Sequence, residues 1–184
     1  MIIGLTGKSA SGKGTVAEYL KEKGYVYHSC SDILRLELKE RGIEENLPNL
    51  IKIGNELRNN EGPGVLGKRI LELIRQNGEE NSLADSIRNP AEIEELKKAG
   101  NSFILIAVDA PVELRYERMS KRGRAGDNIS LEDFKILDAK QFQSDDPNAQ
   151  QILKCLQLAD YRIVNDGTVD ELYQEIEAIL GQIK

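Results

Sequence analysis

Near the start of the chain, Gly7-Lys8-Ser9-Ala10-Ser11-Gly12-Lys13-Gly14-Thr15 sets small residues around a lysine in the pattern G-x-x-x-x-G-K-x-T. Small residues let a backbone wrap a phosphate and aim its N–H groups inward, and a helix opening directly after the loop adds positive potential. Gly7, Gly12 and Gly14 supply the backbone freedom. Lys13 is then the side chain that would set its ammonium against the β- and γ-phosphates of a nucleotide, where charge shifts as a phosphoryl group moves. The commoner loop carries Ser or Thr immediately after the lysine. Here Gly14 intervenes, which leaves Thr15 as the hydroxyl nearest the phosphate and a Mg²⁺ ion. Lys8 reads as a solvated loop charge.

A phosphate donor also needs a hard oxygen ligand for Mg²⁺, held at the carboxyl end of a strand beside the loop. Asp85, closing Ser82-Leu83-Ala84-Asp85, fits that place, and Arg88 follows three residues later. The plainer alternative for the two is an Asp–Arg ion pair at a strand end. In Ser31-Asp32-Ile33-Leu34-Arg35, Ser31 or Asp32 could cap a helix, with Arg35 one turn further in. Between Arg115 and Arg124 stand five basic residues, Arg115, Arg118, Lys121, Arg122 and Arg124, against the single acid Glu117. Arg115, Arg118 and Arg122 share one helical face by their i, i+3, i+7 spacing. Such a run can be a solvated basic face. Running into Gly123-Arg124-Ala125-Gly126-Asp127, it suits a lid whose arginines close over phosphates.

The elements that must position these residues follow from apolar runs and periodicity. Strands are expected at Ile2–Thr6, Tyr25–Ser29, Ser82–Asp85, Phe103–Val108 and Tyr161–Val164, the fourth reading as a strand covered on both faces. Helices are expected at Gly14–Lys23, Asp32–Arg41, Leu47–Asn59, Val65–Gln76, Pro90–Lys98, Val112–Lys121, Leu131–Phe142, Ala149–Leu158 and Val169–Ile183. The rhythm is that of one α/β domain over residues 1–184, with five parallel strands. The helices over 32–77 exceed what a crossover needs and are expected to form an acceptor-binding insertion; residues 115–130 are expected to form the lid.

Composition excludes other classes. The 184 residues carry 31 acidic and 25 basic side chains, a net charge of −6, which argues against a nucleic-acid partner. The longest apolar run, Phe103–Val108, is far below the roughly 20 residues of a membrane-spanning helix. No basic leader precedes Ile2–Leu5, so no secretory signal is expected and the cytoplasm is the expected location. His28, Cys30 and Cys155 are too few for a disulfide framework or a zinc site and are expected to be structural.

Taken together, these segments resemble the P-loop nucleotide kinases, the adenylate-kinase-like nucleoside monophosphate kinases and the dephospho-CoA kinases, over nearly the whole chain. The resemblance implies a three-layer α/β/α P-loop NTPase fold using ATP and Mg²⁺. Ser31–Arg35 is similar to that family's acceptor-binding segment, and Asp85-Ser86-Ile87-Arg88 to its Asp-Gly-x-x-Arg segment with Ser86 in the glycine's place. On this basis Asp32, Arg35 and Arg88 would contact the acceptor, with Arg58 added. Lys13, Asp85, Arg118 and Arg122 would carry the transfer, and Thr15 and Asp85 would hold the metal. Gly7, Ser9, Ala10, Ser11, Gly12, Lys13, Gly14 and Thr15, with Arg124, and Asn165 and Gly167 of the loop Asn165-Asp166-Gly167-Thr168, would hold the donor; Thr168 could also be a plain helix cap. The segments Gly54–Arg58 and Glu61–Leu66 are further similar to a kinase-like domain that occurs ahead of deoxycytidylate-deaminase-type domains. The resemblance implies a small nucleotide acceptor, a (deoxy)nucleoside monophosphate first, dephospho-CoA as the alternative. A nucleotide-sensing module without efficient turnover would use the same loop.

Overall fold

The computed structural model describes residues 1–100, 103–123 and 127–183. Five parallel strands, β1 (Ile2–Thr6), β2 (Val26–Ser29), β3 (Ser82–Ile87), β4 (Phe103–Asp109) and β5 (Tyr161–Val164), form one sheet in the order β2-β3-β1-β4-β5. Among the described residues the helices are α1 (Lys13–Glu22), α2 (Cys30–Glu40), α3 (Leu47–Glu61), α4 (Val65–Asn77), α5 (Pro90–Lys97), α6 (Val112–Arg122), α7 (Leu131–Phe142), α8 (Ile152–Gln157) and α9 (Val169–Gln182).

Alternation along each strand divides the core into two layers. Ile3 and Leu5 of β1, Leu83 of β3 and Ile106 and Val108 of β4 pack under α1 and α9, against Val16, Leu20, Leu172 and Ile176. Ile2, Ala84, Ile87 and Leu105 point the other way and meet Leu34, Leu57, Leu66, Ile70 and Ile93 of α2 to α5. The expected insertion is therefore three helices that share the sheet's own core, and α2 to α4 do not stand apart from it. Both faces being covered explains why β1 and β4 read as unbroken apolar runs.

The helix starts are set by side-chain caps. Asn89 accepts from Ala91 N, and Glu92 reaches back to Asn89 N in a capping box with Pro90 in the first turn; Thr168 and Glu171 form a second box at α9. At α2 the cap is Ser29, whose Oγ accepts from Ser31 N at 3.1 Å, and neither Ser31 nor Asp32 is the cap. The helix therefore starts at Cys30, whose side chain is buried in the core. β1 lies in the middle of the sheet, with β2 and β3 on one side of it and β4 and β5 on the other. That reversal opens a crevice at the carboxyl ends of β1 and β3.

Candidate active site

The crevice is a cavity of about 960 Å³, large enough for two small molecules side by side. Its floor is the loop after β1. Gly7 has φ +143°, and a Cβ there would lie 2.0 Å from the Val108 carbonyl oxygen; Gly12 has φ +105°, and a Cβ there would lie 2.0 Å from Asn165 Nδ2. Both positions thus require glycine, for handedness and for space. Gly14 differs, since a Cβ there would meet nothing within 4 Å. It lines the cavity, as do Ser9, Ala10, Ser11 and Thr15. Ser11 is fully buried, and its Oγ has no hydrogen-bond partner among the described residues.

Lys13 is 8% exposed, and its ammonium donates to the carbonyls of Gly7 at 2.9 Å and Lys8 at 2.8 Å. Burial lowers its pKa to about 8; Asp85 opposes the shift, while Arg88, Arg115 and Arg122 add to it. A charged amine held in this state gains from any anion that reaches it.

Across the crevice, Asp85 is 6% exposed, with Oδ1 accepting from Ser86 N at 2.6 Å and Oδ2 from the Tyr27 hydroxyl at 3.1 Å. Ser86 sits at φ +63°, a left-handed conformation that favours glycine, where the register of β3 against β1 slips. Arg88 lines the same wall and donates to Gln150 Oε1 at 3.0 Å; burial lowers its pKa, with Asp85 opposing. Asp32 and Arg35 lie at the outer rim, where Arg35 donates to Asp32 at 2.5 Å and Glu45 at 2.9 Å.

On the α6 side, Arg118 donates to the Asn165 carbonyl at 3.1 Å and to its Oδ1 at 3.3 Å, and Asn165 Nδ2 donates to the Ser11 carbonyl at 2.9 Å. Arg122 grips Asp127 through Nε at 3.0 Å and Nη2 at 2.9 Å. Both arginines line the cavity, as does Gly167; Arg124 lies outside the described residues.

Arg58 is not at the cavity. Its side chain is 2% exposed and pairs through Nε and Nη2 with Glu92 Oε1 at 3.1 and 2.8 Å, while Glu92 Oε2 accepts from Arg88 N at 2.9 Å and Asn89 N at 3.0 Å. The expectation that Arg58 touches the acceptor is corrected: a helical position that reads as polar turns inward because a buried carboxylate waits there. Arg115 likewise leaves the face shared by Arg118 and Arg122 and is buried against Asp138. Lys8 is not merely solvated, since its ammonium lies 4.3 Å from the centre of the Phe142 ring. Tyr27, Asp127 and Asp138 carry no local motif and were missed; Glu92 has a local cap signature, but its pairing with Arg58 was missed as well, and only partners on other elements reveal these roles. Cys30 and Cys155 are buried thiols, their pKa values raised by burial, and His28 Nε2 lies 2.8 Å from Glu79.

A parallel sheet of this order, with a glycine loop and buried lysine leading from its central strand, defines a P-loop kinase-like α/β domain. The model of the AAA domain family matches residues 3–140. A UPF0200 protein of Sulfurisphaera tokodaii is 37% identical over 183 residues, covering 99% of this chain and 97% of that protein. A UPF0200/UPF0201 protein of Archaeoglobus fulgidus is 34% identical over 182 residues, 97% of this chain but 54% of that protein, so the chain spans about half the length of that relative. The chain belongs to this UPF0200 family of P-loop kinase-like domains. Among solved structures, TT1252 from Thermus thermophilus has a TM-score of 0.64 at 18% identity, covering 100% of this chain and 98% of its own. Shikimate kinase from Aquifex aeolicus has a TM-score of 0.54 at 19% identity, covering 99% and 97%, a likeness of fold. Among the described residues no helix is long and apolar enough to cross a membrane.

Proposed function

We propose that the chain is an ATP- and Mg²⁺-dependent phosphotransferase whose acceptor is a small nucleotide, a (deoxy)nucleoside monophosphate. One observation carries the reading: a buried lysine with a lowered pKa and the Asp85–Arg88 segment face each other across one cavity with room for two substrates. The loop fits a triphosphate. Among the described residues its Ser11 hydroxyl has no hydrogen-bond partner, Gly14 leaves open space at the start of α1, and the Lys13 ammonium donates to the Gly7 and Lys8 carbonyls, which an anion can replace.

Thr15 and Asp85, oxygen donors that both line the cavity, would hold Mg²⁺. No three His, Cys, Asp or Glu side chains cluster among the described residues, so phosphate and water would supply its other ligands. When bound, the ion would neutralise charge on the phosphates. The chain's own residues would do the rest. Lys13 and the loop amides orient the donor, Arg35 and Arg88 turn the acceptor toward it, and Arg118 and Arg122 close over the transferred group once Asp127 yields Arg122. Tyr27 keeps Asp85 in place. Little covalent chemistry is asked of the protein, and its contribution is position and charge.

Incubation with ATP, Mg²⁺ and a panel of nucleoside monophosphates, with dephospho-CoA beside them, tests the reading. ADP formed only when one monophosphate is present supports it. ADP formation that no acceptor stimulates, despite ATP binding, overturns it in favour of a sensor.

A further inference from the structure

One buried side chain outside the residues that face the proposed substrates ties three parts of the fold together. Arg115, in the first turn of α6, is 1% exposed. Its Nε donates to the Ala110 carbonyl just past β4 at 3.0 Å, and Nη1 and Nη2 hold the two carboxylate oxygens of Asp138 on α7 at 2.6 and 2.8 Å. Nη1 also reaches the carbonyl of Ser9, in the phosphate loop, at 3.4 Å. The guanidinium lies 5.5 Å from the centre of the Phe134 ring. A second tie joins the same loop to the same helix, for Lys8 sits over Phe142 at the end of α7.

We propose that Arg115 is a positioning residue for the phosphate loop: with Asp138 it braces the turn at Ser9 against β4 and α7, so the loop keeps its anion-binding shape before a nucleotide arrives. The inference rests on the reading of that loop as the ATP site. Its physical basis is pre-organisation. Ala10, next to the braced carbonyl, is held at φ +60°, a conformation that an unbraced loop would readily leave. Amides already aimed at the phosphate need not be ordered by the ligand. Only a guanidinium can fork onto a carboxylate while reaching carbonyls on either side; a lysine keeps the charge and loses the fork.

A rival role is charge alone, since Arg115 stands close enough to Lys13 to help lower its pKa. Asp138→Asn separates the two. It strips the guanidinium of its counter-charge, so a charge-only role gives tighter ATP binding, whereas a weakened brace gives looser binding.

The experiment measures ATP binding with Mg²⁺ by calorimetry, alongside melting temperatures and hydrogen exchange of the amides of residues 7–12, for wild type, Arg115→Met, Arg115→Lys and Asp138→Asn. Both Arg115 variants should bind ATP about tenfold or more weakly, the size of one lost charge-assisted hydrogen bond, with faster loop exchange and unchanged acceptor binding. Asp138→Asn should also weaken ATP binding. If Arg115→Met fails to fold, Arg115→Lys and Asp138→Asn carry the same comparison. Wild-type affinity in the Arg115 variants, or tighter binding in Asp138→Asn, overturns this inference alone. A wild-type protein that binds no ATP overturns the functional reading and this inference with it.

Discussion

On the phosphate-loop side of the cavity, Lys13 is buried and its hydrogen bonds go to backbone carbonyls; on the α2–α3 side, Arg35 is 32% exposed and lies between Asp32 and Glu45, themselves 53% and 56% exposed. A buried charge without a hydrogen-bonded carboxylate is costly, and that cost is relieved only by a particular kind of ligand. An arginine already satisfied by two solvated acids costs little and can be redirected. One side of the site is thus committed to an anion, while the other can be retuned by side-chain exchange. The α2–α3 side has its own buried counterpart in Arg58–Glu92, which fixes the backbone that carries Arg88.

The largest test concerns that buried pair. Glu92→Gln should destabilise the protein by about 3–5 kcal/mol in chemical denaturation, because Arg58 keeps an unmatched buried charge. Glu45→Gln, removing an exposed partner of Arg35, should barely move the midpoint. Equal effects from the two would erase the distinction between buried and rim charges.

Next is Lys13. Its alanine variant should lose about 10²–10³-fold in ATP-dependent turnover, as expected when one preorganised donor is lost. Lys13→Met should nevertheless stabilise the ligand-free protein by about 1–3 kcal/mol at pH 7. A melting temperature that falls instead would show that the buried ammonium is already well compensated.

The same group sets a pH dependence. Its folded pKa of about 8 lies below the ordinary 10.5, so the unfolded chain binds more protons between those values. The penalty is therefore full below about pH 8 and fades as pH rises toward 10.5, and ligand-free stability gains accordingly. A bound phosphate raises the pKa again. ATP affinity should then fall, by up to about tenfold per pH unit, as pH climbs past 8, with proton uptake seen by calorimetry in two buffers.

The smallest effect belongs to Ser86. Its φ of +63° suits glycine, so Ser86→Gly should stabilise by about 1 kcal/mol, read as a rise in melting temperature. Destabilisation would mean that the Ser86 side chain contributes more than its backbone strain costs.

Composition and periodicity by themselves fixed the α/β class, five strands and the place of each helix to within a few residues. Strand–loop–helix order and glycine spacing are local, and so are caps such as Asn89 with Glu92. The loop Gly7–Thr15 was legible for the same reason, since a backbone that must curl around a phosphate leaves its requirement in consecutive residues. What only the tertiary structure decided is where each charge ends. Arg115, Arg118 and Arg122 look alike on one helical face, yet Arg115 is buried and the other two line the cavity. Arg58 faces Glu92 across 34 positions of sequence, and Tyr27 meets Asp85 across 58. Desolvation and pairing depend on neighbours brought in by other elements, and no spacing within a single helix or strand encodes them.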